Sequence, residues 1–199
     1  GMGDNSPKTY DKIFLERAEK GVNWQDERRW KELARYFREG IIADMGCLDS
    51  RIYNYLTGDF KYMGTDIAEE SIKEMLGKYP DSNCTFLVDD IYKSKIVDEV
   101  SDYVILGEVL EHLEKPELAV REAFRILKPG GVLAVSVPLE EAREPGAVDK
   151  DRHIWSFSKR DINDLVHLYS TKVKMKVLRS KWFPYKYCWP TLVAWCWKK

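Results

Sequence analysis

Four short apolar runs in this chain each stop at an acid: IIAD at 41–44, YMGTD at 62–66, FLVDD at 86–90 and YVILGE at 103–108. Runs of this length, rich in Ile, Val, Tyr and Phe, are the mark of buried strands. Helix-like stretches near 49–57 and 69–79 follow the first two, and a third at 117–128 leads to the apolar run at 132–137. Such alternation specifies a mostly parallel sheet covered by helices on both faces. In an open sheet of that kind the ligand crevice lies outside the carboxyl ends of the strands. Asp44, Asp66, Asp89 with Asp90, and Glu108 should therefore gather at one rim.

The third helix is the best-defined. Val120, Ala123, Phe124 and Leu127 recur at i, i+3, i+4 and i+7, with Pro116 in its opening turn and Pro129, Gly130 and Gly131 as its stop. Further on, a helix starts at Ser158, and Lys172–Val177 alternates lysine with apolar residues, as a strand with one wet face does. Thr191–Trp197 reads as a seventh strand, and two successive strands with no helix between them imply an antiparallel hairpin at the sheet edge. The expected fold is α/β, a doubly wound, mostly parallel seven-stranded sheet with an antiparallel C-terminal hairpin. Residues 1–39, with two helical stretches split near Gly21–Asn23, are expected to form a helical cap on a domain spanning 40–199.

The first turn, IIADMGCLDS, limits the ligand. A dinucleotide fingerprint needs two further glycines to close backbone amides on pyrophosphate, and here those positions hold Leu48 and Arg51. Asp49 would repel a phosphate. Carboxylates instead suit a ligand that carries positive charge and ribose hydroxyls. The segments IIADMGCLDS, YMGTDI, FLVDDI, SDYVILGEVLEHL and REAFRILKPGGVLAVSVP resemble, in order and spacing, the class I S-adenosylmethionine-dependent methyltransferases over roughly residues 40–178. The resemblance implies a Rossmann-like methyltransferase fold, S-adenosylmethionine as cofactor and S-adenosylhomocysteine as product. It also implies cofactor-binding roles. Asp44 and Gly46 would lie at the methionine end, Asp66 would take the ribose hydroxyls, and Ile67 would flank the adenine. Asp90, with Asp89 as rival, would meet the adenine amino group; Leu106, Gly107 and Glu108 would lie by the ammonium. Two departures are Leu48, where the family has a second glycine, and Ser50, where it has a third.

Methyl transfer is an in-line displacement, so alignment and water exclusion do most of the work. A general base matters when the acceptor is a hydroxyl. His112, just after the fourth strand with Glu111 beside it, and His153, in the loop after the fifth, both belong to the crevice end and are the catalytic candidates; His167 reads as an ordinary helical residue. Glu108, Glu111, His112 and His153 are also similar to the metal-ligating set of the small-RNA 2'-O-methyltransferases. The same letters recur in metal-free small-molecule methyltransferases, and the expectation is a site without metal. The expected function is methylation of a small-molecule or a lipid- or sugar-linked acceptor. The alternatives are a non-catalytic cofactor-binding regulatory module and a metal-assisted RNA 2'-O-methyltransferase.

Charge is uneven despite a net value of -1: residues 165–199 hold eight Lys or Arg and no acid, leaving 24 basic against 33 acidic side chains in the rest. Lys181–Lys199 sets Trp182, Phe183, Tyr185, Tyr187, Trp189, Trp195 and Trp197 among lysines. This stretch reads first as an edge hairpin, and secondly as a peripheral contact for anionic lipid; nothing in it argues firmly for nucleic acid. The cysteines (Cys47, Cys84, Cys188, Cys196) form no CxxC pair, and no apolar run reaches the roughly 18 residues of a span, so a cytoplasmic protein is expected.

Overall fold

A computed structural model describes residues 6–18, 24–81, 83–139, 153–179 and 190–199. One sheet contains β1 (Gly40–Met45), β2 (Phe60–Asp66), β3 (Cys84–Val88), β4 (Ser101–Gly107), β5 (Leu127–Pro138), β6 (Ser170–Leu178) and β7 (Thr191–Lys198). Their order is β3-β2-β1-β4-β5-β7-β6. The first five strands run parallel, and β7 is antiparallel to both β5 and β6. Because β7 inserts between β5 and β6, the lysine-bearing β6 becomes the edge. Strand order turns back between β1 and β4, the switch point at which open sheets leave a crevice.

Side chains alternate between two cores, as the strand period of two requires. Ala43, Met45, Val104, Leu106, Leu133 and Val135 pack on one face with α4 (Pro116–Ile126) and α5 (Lys159–Val166). Ile42, Tyr62, Ile105 and Ala134 pack on the other, with α1 (Pro7–Ala18), α2 (Trp24–Leu33) and α3 (Glu69–Lys78) supplying Phe14, Trp30, Leu33, Ile72 and Met75. Each fully buried large apolar side chain contributes about 1.5–3 kcal/mol. Ser158 caps α5: its hydroxyl accepts from the Asp161 amide at 3.1 Å, and the Asp161 carboxylate accepts from the Ser158 amide at 2.8 Å. The last turn of α5 closes at Val166, so His167 stands just beyond the helix, exposed, rather than within it.

Three local features differ from expectation. The helix near 49–57 is a short 3-10 stretch, Arg51–Tyr55. Ser50 has left-handed backbone and Leu56 is extended, leaving too few residues to repay α-helix nucleation. Leu127, the last member of the α4 stripe, is the first residue of β5, although it stays fully buried. Pro129–Gly131 lies within β5 rather than before it. Leu127 pairs with Ser101 and Val132 with Tyr103, so the residues between bulge out of the ladder, with Gly130 at φ +76°. The split at 19–23 and the aromatics from 180 to 189 lie outside the described residues.

Candidate functional site

Parallel strands bring the first acids to one edge, because Asp44 lies opposite Gly64, and Asp66 two residues on closes β2. Asp44 is buried and accepts from the Tyr62 phenol at 2.5 Å. Burial pushes its pKa up to about 7, aided by the Asp66 and Asp49 charges and opposed by the Tyr62 bond. Asp66 is fixed from both sides: one carboxylate oxygen accepts from the Leu48 amide and the other from the Ala68 amide, each at 2.9 Å. Burial raises its pKa too, against the pull of those amides. A carboxylate has about four acceptor directions, so these amides leave acceptor capacity for a ligand hydroxyl.

The turn between them explains the glycines. Gly46 sits at φ +77°, and a Cβ there would come within 2.7 Å of Val109 Cγ2, so a side chain is excluded twice over. Leu48 and Ser50 adopt φ 43° and 50°, the left-handed region that glycine occupies freely. The backbone shape thus persists where the glycines do not, at a strain of about 1–2 kcal/mol per residue. Asp49 is paired with Arg51 across 2.7 Å.

Farther along the rim the acids part company. Asp89 is buried and bound to its own loop, accepting from the Ser94 hydroxyl at 2.5 Å and the Lys95 amide at 3.1 Å, whereas Asp90 is exposed and accepts from the Tyr92 amide at 2.9 Å. Ile67 is 38% exposed beside Asp66. Leu106 is buried in the core, and Gly107 leads into Glu108, itself at φ 53°. Glu108 pairs with Arg29 of α2 at 3.3 Å, and Arg29 also holds Asp26 at 2.9 Å. The rim is therefore less negative than its formal charge, since burial favours a proton on Asp44 and a cation faces Glu108.

The distant histidines meet. His153 is carried to His112 because the Ile154 and Trp155 amides donate to the Glu111 carbonyl at 2.6 and 3.2 Å, and the Trp155 indole donates to the Leu113 carbonyl at 2.7 Å. The two imidazoles lie edge to face at 4.8 Å between centroids, and Tyr10 of α1 stands edge-on to His112 at 6.5 Å. Glu111, 1% exposed, places a carboxylate oxygen 3.8 Å from His112 Nε2. Burial pushes its pKa well above the ordinary carboxylate range, and the neighbouring Glu108 charge adds to this. One ligand atom from each of Glu111, His112 and His153 lies within 4.8 Å of the others, a spacing that a metal ion could use.

Sequence reasoning missed Arg29 and Tyr10. Neither belongs to a motif, and only packing of α1 and α2 over the sheet edge brings them to the rim. Arg29 Nε, Glu108 Oε2 and Glu111 Oε2 are buried with no hydrogen-bond partner among the described residues, marking polar atoms available to a ligand. A cationic nucleoside fits here: Asp66 for ribose hydroxyls, Ile67 as apolar flank and Glu108 Oε2 as acceptor for an ammonium.

Residues 43–135 match the family described as the methyltransferase domain. A Schizosaccharomyces pombe protein named an uncharacterized methyltransferase is 41% identical over 68 residues, 33% of this chain and 24% of that protein. A protein of Mycolicibacterium smegmatis named a probable S-adenosylmethionine-dependent methyltransferase is 29% identical over 113 residues, 56% of this chain and 42% of that protein. The chain thus spans less than half the length of these relatives. Among solved structures, the N-methyltransferase NodS of Bradyrhizobium japonicum, in complex with S-adenosylhomocysteine, superposes with a TM-score of 0.73 at 16% identity, covering 98% of this chain and 99% of that one. Sequence similarity over residues 43–135 and a sheet shared over nearly the whole chain agree: the chain carries a stretch similar to the methyltransferase domain on the fold of the S-adenosylmethionine-dependent methyltransferases.

Proposed function

We propose that this chain transfers a methyl group from S-adenosylmethionine to a hydroxyl of its acceptor, a small molecule or a lipid- or sugar-linked metabolite. The observation that carries this reading is the His112–His153 pair, held at 4.8 Å on the same sheet edge as Asp44 and Asp66. When bound, the cofactor supplies a methyl carbon activated by its sulfonium. On this reading Asp66 orients the ribose, and the main chain at Gly107 with Glu108 receives the ammonium. His153 takes the acceptor proton, while Tyr10 and α2 exclude water above the histidines. A general base of this kind contributes about 10²- to 10⁴-fold. Replacing His153 by Ala should lower turnover on a hydroxyl acceptor by about that factor and leave S-adenosylhomocysteine affinity unchanged. Unchanged turnover would remove the base from the scheme. Binding of S-adenosylhomocysteine with no turnover across the acceptor panel would instead favour the regulatory module.

One observation favours a second reading, a metal-assisted RNA 2'-O-methyltransferase: the convergence of Glu111, His112 and His153 with Glu108 as neighbour. Imidazole with carboxylate suits manganese or iron better than magnesium. If this reading holds, methylation of an RNA 2'-hydroxyl is abolished by chelator and restored by manganese, whereas a metal-free base mechanism is indifferent to both.

A further inference from the structure

The edge strand carries a device that no methyl-transfer step uses. Lys172, Lys174 and Lys176 fall on one face of β6, about 6.6 Å apart at two residues per repeat. They share that face with their cross-strand partners Trp197, Trp195 and Val193. Tyr36, just after α2, stands edge-on to both tryptophans at 5.1 Å. Between these elements lies a groove of about 340 Å³ lined by Arg35, Tyr36, Lys174, Met175, Lys176 and Trp195. The neighbouring acid Glu32 is taken by Arg35 at 2.7 Å and Lys176 at 2.5 Å.

The other two ammonium groups are held differently. Lys172 Nζ lies over the Trp197 ring at 5.1 Å, and Lys174 Nζ stands 5.0 Å from the Tyr36 ring centre and donates one hydrogen bond to the Tyr36 hydroxyl at 3.3 Å, its other two N–H groups facing outward from that bond. Neither forms an ion pair among the described residues. A cation resting on a ring is positioned without being neutralised, and its N–H donors stay available to an anion. A freely solvated lysine would have to lose rotamer entropy before making the same contact.

We propose that this groove docks the sugar-phosphate backbone of a single-stranded nucleic acid. A regular row of positioned cations along a strand matches a chain of evenly spaced phosphates. A membrane surface fits less well: Trp195 is 2% exposed, Lys172 stands over Trp197, and Tyr36 is held edge-on to both tryptophans with its hydroxyl bonded to Lys174, so these aromatics are already covered by their neighbours. Those covered rings also leave no platform for base stacking, so the contact reads phosphates and not sequence. The row points along the sheet toward the crevice end: Lys172 is level with Val132 in the middle of β5, and Lys176, through Val193, with Ser136 near its carboxyl end. The lysine row on β6 lies about 14 Å, three strand spacings, from β4, a gap that an extended chain bridges and a small metabolite does not. The inference deepens the RNA reading of the acceptor but stands on other residues. Its test needs neither cofactor nor turnover, so the two readings fail separately.

The experiment is fluorescence anisotropy of a labelled oligouridylate titrated with the whole chain at several salt concentrations. Saturable binding is expected. Lys172→Gln with Lys174→Gln should weaken it about tenfold at low salt and reduce the log–log salt slope by about 1.4, two phosphate contacts at about 0.7 each for a single strand. The charge-matched control, Lys61→Gln with Lys73→Gln on the far side of the sheet, should bind as the parent does. An unchanged urea-denaturation midpoint in both variants certifies the fold. Absence of saturable RNA binding would overturn the proposal, and so would equal weakening in the two variants. Vesicles of anionic phospholipid bound through Lys172 and Lys174 while RNA is not bound would reassign the groove to a membrane surface. Displacement of RNA by millimolar inorganic phosphate would reduce it to a single-anion site.

Discussion

Asp44 offers the sharpest test, because its charge state couples the fold to the cofactor rim. Its pKa rises from 3.8 to about 7, chiefly through burial. The unfolded chain ionises this group near pH 4, whereas the folded chain keeps the proton to about pH 7. Between those values the native state binds more protons than the unfolded one. The group's contribution to stability is therefore fully present below about pH 4, declines as pH rises, and is lost above about pH 7. Three pH units at 1.36 kcal/mol each give a penalty of about 4 kcal/mol at alkaline pH. Asp44→Asn cannot ionise, and its side-chain carbonyl can still accept from the Tyr62 phenol. Urea denaturation of both proteins without cofactor should show similar stability near about pH 3.5 and an advantage for the variant that grows toward about 4 kcal/mol by about pH 8. A difference that does not vary with pH would show that Asp44 is ionised throughout and that the account of its burial is wrong.

Other outcomes follow from the same geometry. Ser50→Gly should stabilise the protein by about 1 kcal/mol in the same assay, since glycine occupies φ 50° without strain; a loss would mean the serine hydroxyl does more than fill space. Gly46→Ala should cost about 2 kcal/mol or more, with part of it recovered when Val109→Ala removes the methyl 2.7 Å away; no recovery in the double mutant would leave backbone strain as the whole cause. Glu111→Gln, measured with chelator present, should gain stability relative to the parent as pH rises, because burial pushes that carboxyl well above the ordinary carboxylate range; a difference that does not vary with pH would show that the burial has no such effect.

Phosphate-free cofactor chemistry, the strand-helix alternation and the edge holding Asp44 and Asp66 were legible in the sequence, because each rests on local pattern. Period-two apolar runs, the stripe on α4 and a glycine turn flanked by acids are set within a few residues and need no tertiary contact. Position and charge state were not. The 3-10 turn at Arg51–Tyr55 depends on left-handed backbone at Leu48 and Ser50, residue types that do not announce it. Asp89 and Asp90 look equivalent as neighbours, yet one is consumed by its own loop and the other faces solvent. His112 and His153 are 41 positions apart, and only two amide bonds to the Glu111 carbonyl bring their rings together. Arg29 and Tyr10 reach the rim because helices fold back over the sheet. Composition showed a basic C-terminal stretch, but packing of β6 against β7 and Tyr36 decided that Lys172 and Lys174 stand against aromatic rings while Lys176 meets the Glu32 carboxylate. Periodicity along a chain fixes which residues share a face; only long-range packing fixes what that face meets, and burial and pairing then set its charge.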